Sequence, residues 1–135
     1  MDSKTFLEFL PTNLRHEKSF LIQKDLTDLK KLCVLTDLDI NEIQKKSPLC
    51  SFNNLKKIRA IAIFKKKIGI SPPQANLLLH CGISSIKSLS LSTPYELESK
   101  IGRLERTLRV KTETNITFAQ LKRWIEKAKQ VYKSI

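Results

Sequence analysis

The 135 residues include 41% hydrophobic side chains, 3 glycines and 5 prolines, which is enough apolar surface for one core and a composition that favours helices over strands. The net charge is +12, and residues 51–135 hold all of it, with 17 Lys and Arg against 5 Asp and Glu, while residues 1–50 balance 8 against 8. The longest apolar stretches, such as Leu77-Leu78-Leu79, are far too short for a helical bilayer span, and no membrane partner is expected.

Residues 1–12 read as an N-terminal segment. The start, Met1-Asp2-Ser3-Lys4, leads into charge rather than an apolar run, so no secretory signal is expected. Residues 13–24 predict a helix with Leu14, Phe20, Leu21 and the Lys18 stem on one side, and a short helix follows near 27–33. Thr36 caps the next helix, with Asp39 at the third helical position closing a capping box, and Ser47-Pro48 stops it after Lys46. Ser51 caps the clearest helix, 52–67, in which Phe52, Leu55, Ile58, Ala62 and Phe64 recur at three- and four-residue steps. Lys65, Lys66 and Lys67 fall in its last turn, where they complement the helix dipole, and Gly69 ends it.

Ser71-Pro72 is an N-cap followed by proline at the first helical position, and the helix it opens runs to Gly82. Ser84 or Ser85 opens a short helix through Leu89. Thr93-Pro94-Tyr95-Glu96 is a further capping box. Asn115 or Thr117 caps the last helix, with Phe118, Leu121, Trp124, Ile125, Ala128 and Tyr132 on one face and Lys122, Arg123, Lys127, Lys129 and Lys133 on the other.

The chain matches itself. At an offset of 57, Phe20-Leu21-Ile22 falls on Leu77-Leu78-Leu79, Leu26 on Ile83, Leu29 on Ile86, Leu32 on Leu89, Thr36 on Thr93 and Ile40 on Leu97. At an offset of 66, Phe52-x-x-Leu55-Lys56-Lys57-Ile58 falls on Phe118-x-x-Leu121-Lys122-Arg123-Trp124. The change of offset predicts nine extra residues in the second copy, between about Ile101 and Ile116, carrying Arg103, Arg106, Arg109 and Lys111. The expected fold is therefore all-α, a single compact domain of two degenerate repeats, 13–67 and 68–135.

Gly69-Ile70-Ser71-Pro72-Pro73-Gln74-Ala75-Asn76-Leu77-Leu78, then Gly82-Ile83, resembles a helix-hairpin-helix motif. Continuing through Thr93-Pro94-Tyr95-Glu96-Leu97 and Leu121-x-x-Trp124-Ile125-x-x-Ala128, with Leu55-x-x-Ile58-Arg59-x-x-Ala62, the pattern is similar to the family called domain of unknown function 4332 over about residues 14–130. That resemblance implies tandem helix-hairpin-helix-like units and assigns no activity. A hairpin of this kind can hold a phosphate on backbone N–H groups at a helix N-terminus without reading sequence. Ser71 stands where the motif has its second glycine, which makes a better cap and a poorer cradle. The matching region of the first copy, around Thr12 to Glu17, has no glycine, so that copy is expected to be structural.

No enzyme is expected. His16 and His80 lack partners at ligand spacing, no phosphate-binding glycine loop is present, and no acidic pair sits in an apolar setting. Trp124, Phe52 and Phe118 are expected in the core. Cys33, Cys50 and Cys81 have no metal-binding spacing and suggest reduced thiols in the cytoplasm, with no metal and no cofactor. The one-sided charge points to nucleic acid, DNA or RNA, held through its phosphates by Lys65, Lys66, Lys67, Arg103, Arg106, Lys122, Arg123 and Lys127, with backbone contacts from Gly69, Ile70 and Ser71. Two alternatives remain: an interaction module for a protein partner, and a lysine excess inherited from nucleotide composition.

Overall fold

The structure, a computed structural model, describes residue 10 and residues 12–26, 28–108 and 116–133. After a 3-10 turn, Thr12–Leu14, these form eight α-helices and, among the described residues, no strand. They are α1 (Arg15–Gln23), α2 (Leu29–Cys33), α3 (Asp37–Lys46), α4 (Phe52–Ile63), α5 (Pro72–His80), α6 (Ile86–Ser90), α7 (Pro94–Leu108) and α8 (Phe118–Lys133).

Side-chain caps explain most of these starts. Asp28 accepts from the Lys30 backbone N–H at 3.0 Å to open α2. Thr36 and Asp39 exchange bonds of 3.1 and 2.9 Å to open α3, and Ser71–Gln74 and Ser85–Ser88 form the same reciprocal box at α5 and α6. Thr93 Oγ1 accepts from the Glu96 N–H at 3.2 Å at α7. Thr117, rather than Asn115, caps α8: it accepts from the Gln120 N–H at 3.2 Å and donates its own N–H to Gln120 Oε1 at 3.0 Å. Asn115 lies outside the described residues. Each such cap is worth about 1 kcal/mol.

The helix expected over 52–67 does not stay α-helical. It passes at Phe64 into a π turn, Phe64–Ile68, in which the Gly69 N–H reaches back to both Phe64 O (3.0 Å) and Lys65 O (3.1 Å). The five-residue reach widens the last turn, and Gly69, at φ +90°, closes it.

Helix α4 and its π turn form the spine. α2 and α3 pack on it from the first half, α5 and α8 from the second, while α6 and α7 pack on α8. Leu14, Leu21, Leu32, Ile40, Leu55, Ile58, Ile61, Phe64, Ile70 and Leu78 are fully buried in one continuous core running from Leu10 to Ala128. The chain is thus a single compact all-α domain. Trp124 is in that core; Phe52 and Phe118 sit half-buried at its edge. On α1 the side chain that joins Leu14 and Leu21 inside is Glu17, while Lys18 is only half-buried.

The two halves share an order of elements, with helices of 9, 5, 10 and 12 residues followed by 9, 5, 15 and 16. Their caps fall 57 residues apart: Asp28 and Ser85, Thr36 and Thr93. The ends of α1 and α5 match bond for bond. Leu26 N donates to Leu21 O at 2.8 Å and Ile83 N to Leu78 O at 2.9 Å, with Asp25 (φ +55°) standing where the second half has Gly82 (φ +88°).

Candidate nucleic-acid interface

The Gly69-Ile70-Ser71 hairpin joins the π turn to α5. Its backbone donors are already used. Gly69 N–H is shared by two carbonyls, Ile70 N–H reaches Phe64 O at 3.2 Å, and Ser71 N–H reaches Gln74 Oε1 at 3.4 Å. Pro72 and Pro73 have no N–H, and Gln74 N–H is bound by Ser71 Oγ. The Ile70 side chain is fully buried. A phosphate at this turn would have to displace those bonds, so the hairpin positions its neighbours rather than offering open donors.

The other expected cations lie on three elements that touch in sequence around the second half. Lys65 is half-buried and Lys66 and Lys67 are exposed on the π turn, which packs on α8, which packs on α7. Arg103 and Arg106 are exposed on α7, the Arg106 guanidinium lying 3.5 Å from where a Cβ on Gly102 would stand. Lys122, Arg123 and Lys127 are exposed on α8. At about 100° per residue, Lys122 shares a row with Lys129 and Lys133, while Arg123 and Lys127 form another row roughly 120° away. The α8 cations therefore flank both sides of its buried Leu121-Trp124-Ile125-Ala128 stripe instead of forming one patch. Arg109 and Lys111 lie outside the described residues.

Residues 43–95 contain no Asp or Glu at all, although nine Lys and Arg fall within them. Between α2 and α4 on one side and the α5–α6 turn on the other lies an open cavity of about 770 Å³, lined by this stretch together with Cys33 and Leu35. Lys56 and Lys57 line it with apolar Ala60, Ile63 and Ile86, and no acid does. Neither lysine is ion-paired among the described residues; Lys56 Nζ lies 5.5 Å from the Phe52 ring centroid. Arg59, also at the wall, is committed to structure: Nη1 donates to Leu35 O at 3.0 Å and lies 2.9 Å from Asp37 Oδ1, tying the start of α3 to α4. The charge pattern carried this signal, since an acid-free stretch is visible in the sequence; the cavity is a product of packing.

Cys33 also lines the cavity. Burial raises its thiol above the ordinary value, against the opposing pull of the nearby Lys66 and Lys67 ammonium groups and with a smaller push in the same direction from the Asp28 carboxylate. Burial likewise raises Cys81, opposed by Lys100. Cys33 and Cys81 are half-buried and Cys50 fully buried, all three as free thiols. His16 and His80 are exposed. Among the described residues no three His, Cys, Asp or Glu side chains come together as a metal site, and no helix is long and apolar enough to cross a membrane.

These features define a class: a small, all-helical basic domain whose short capped helices are joined by tight left-handed turns. The chain belongs to the family Domain of unknown function (DUF4332), whose pattern matches residues 12–131. No curated protein and no solved structure matches it.

Proposed function

We propose that this protein binds nucleic acid through backbone phosphates, with little sequence preference and without catalysing a reaction. The observation that carries the reading is the acid-free stretch 43–95, whose lysines Lys56, Lys57, Lys66 and Lys67 face solvent without ion pairs among the described residues. A polyanion meets an excess of cations there, with Asp37 neutralised by Arg59. Lys65, Arg103, Arg106, Lys122, Arg123 and Lys127 extend the contact toward α7 and α8. The hairpin Gly69-Ile70-Ser71 orients the π turn. The matched caps and turns of the two halves support descent from a duplicated helical unit, 13–67 and 68–135. The proposed setting is the cytoplasm, in keeping with three free thiols.

The test is binding of random-sequence DNA and RNA at two salt concentrations. The expected result is an affinity that falls steeply with salt; no binding at low salt, or a flat salt response, ends the proposal.

A second reading, docking of a protein partner, is favoured by one observation. Val34 and Leu38 are 71% and 76% exposed, and their counterparts 57 residues on, Leu91 and Tyr95, are both 74% exposed. Large apolar side chains held in solvent at the same place in both halves suit a protein surface. A complex that survives nuclease and high salt and is abolished by Leu38→Ser and Tyr95→Ser would favour this reading.

A further inference from the structure

The cavity beside α4 has a composition that phosphate binding alone does not require. A surface that holds only phosphates needs cations on an open face. Here an apolar interior, with Ala60, Ile63 and Ile86 among its walls, opens beside two unpaired ammonium groups, Lys56 and Lys57. Its volume, about 770 Å³, lies within the range of sites that enclose a ligand of nucleotide size. The cations also continue past the cavity. Lys66 and Lys67 are exposed on the following π turn, and Cys33 at the cavity wall feels both ammonium groups as well as the Asp28 carboxylate. Lys57 and Lys66, nine residues apart, are about half a turn out of phase at roughly 100° per residue, so the cations beside the cavity are Lys56 and Lys57.

We propose that this cavity takes one unpaired nucleotide of a single strand, its base against the apolar wall and its neighbouring phosphates on Lys56 and Lys57. In a duplex each base is paired and stacked and cannot enter such a recess, whereas a single strand can turn one base outward. The apolar part of the wall is chiefly aliphatic, Leu35, Ala60, Ile63, Leu79 and Ile86, and does not distinguish one base from another. The amide of Asn53 and the hydroxyl of Ser84, both at the lining, are available to its polar edge. This inference rests on the phosphate-binding reading above and adds a preference that reading does not contain.

The experiment uses the full chain at low salt with three fluorescent probes of roughly twelve nucleotides, a length in the usual range for one single-strand site. They are a single strand, its duplex, and an abasic strand of equal charge. The single strand is expected to bind about tenfold tighter than either of the others, the apolar surface of one base removed from water being the difference. Ala60→Trp fills the recess while leaving every cation in place. It should bring the single strand down to the abasic level without changing the salt response, with circular dichroism confirming the helical fold.

Thiol alkylation of the unaltered chain reads the same site without a substitution. The single strand should protect Cys33, in the cavity, and leave Cys81, outside it, as reactive as before. Equal binding of the single and abasic strands, an unchanged Ala60→Trp variant, or an unprotected Cys33 overturns the cavity proposal while leaving phosphate binding standing. Failure of all three probes to bind overturns both.

Discussion

Asp25 adopts a backbone conformation that glycine adopts at the equivalent Gly82. Both residues end a nine-residue helix with positive φ, and both are followed by an apolar residue whose N–H satisfies a carbonyl of the helix. A side chain in this region is strained whatever space surrounds it. Gly82→Ala should therefore cost about 1 kcal/mol, although nothing lies within 4 Å of its would-be Cβ. Gly102→Ala, in the interior of α7 with only an ordinary contact to Arg106, should instead stabilise by up to about 1 kcal/mol. Urea denaturation of the two variants separates these opposite signs. Glu17 supports a second prediction. It is 1% exposed; Oε1 accepts from Asn54 Nδ2 at 2.9 Å, and Oε2 is without a hydrogen-bond partner. Asn54→Leu removes its one bond and should cost about 1–3 kcal/mol, whereas Glu17→Leu with Asn54→Leu should recover most of that loss. A double-mutant cycle in urea measures the difference. The position of Glu17 was open to reading, since it lies three residues after Leu14 and four before Leu21. Its chemistry argued for the surface, and the 3.6-residue period decided otherwise.

At the scale of the element, the caps were legible because a cap is a local event. A side-chain oxygen and an N–H three residues on need nothing from the rest of the fold. Where two candidates competed, the residue at the third helical position decided. Ser85 has Ser88 to answer it and Thr117 has Gln120, while Ser84 would have had Lys87 and Asn115 would have had Phe118. The π turn was not legible, because the same residues read as one more turn of α-helix until Gly69 closes on Phe64. The α3 box makes a pH prediction. The Thr36 N–H and hydroxyl bonded to Asp39 hold its carboxyl below the ordinary value of 3.8. A depressed folded-state value means that this stabilisation is present above about 3.8 and is lost as the pH falls below it. Asp39→Asn should lower the melting temperature slightly at neutral pH and converge with the unaltered chain below that range. Thermal melts between the two conditions give the comparison.

For the molecule as a whole, charge could be counted along the chain but its neighbours could not. The sequence separates neutral residues 1–50 from basic residues 51–135. Folding then divides the basic residues by what they can still do. Arg59 is drawn into the α3–α4 junction, Lys45 lies 3.5 Å from Glu42, and the α8 lysines and arginine split between two rows. Lys56 and Lys57 gain importance because α5 and α6 return to face them across a cavity, a long-range approach that no local pattern announces. The salt response can discriminate among these groups, because the slope of log affinity against log salt shrinks by about 0.7–0.9 for each phosphate that is no longer neutralised. Lys66→Ala with Lys67→Ala should lower that slope by about 1.4–1.8 and weaken binding alike for every sequence. Lys45→Ala should leave the slope unchanged, since that ammonium already sits beside the Glu42 carboxylate. A slope lowered by Lys45→Ala by half as much as by the double variant would mean that net charge, rather than the arrangement around α4, governs the attraction.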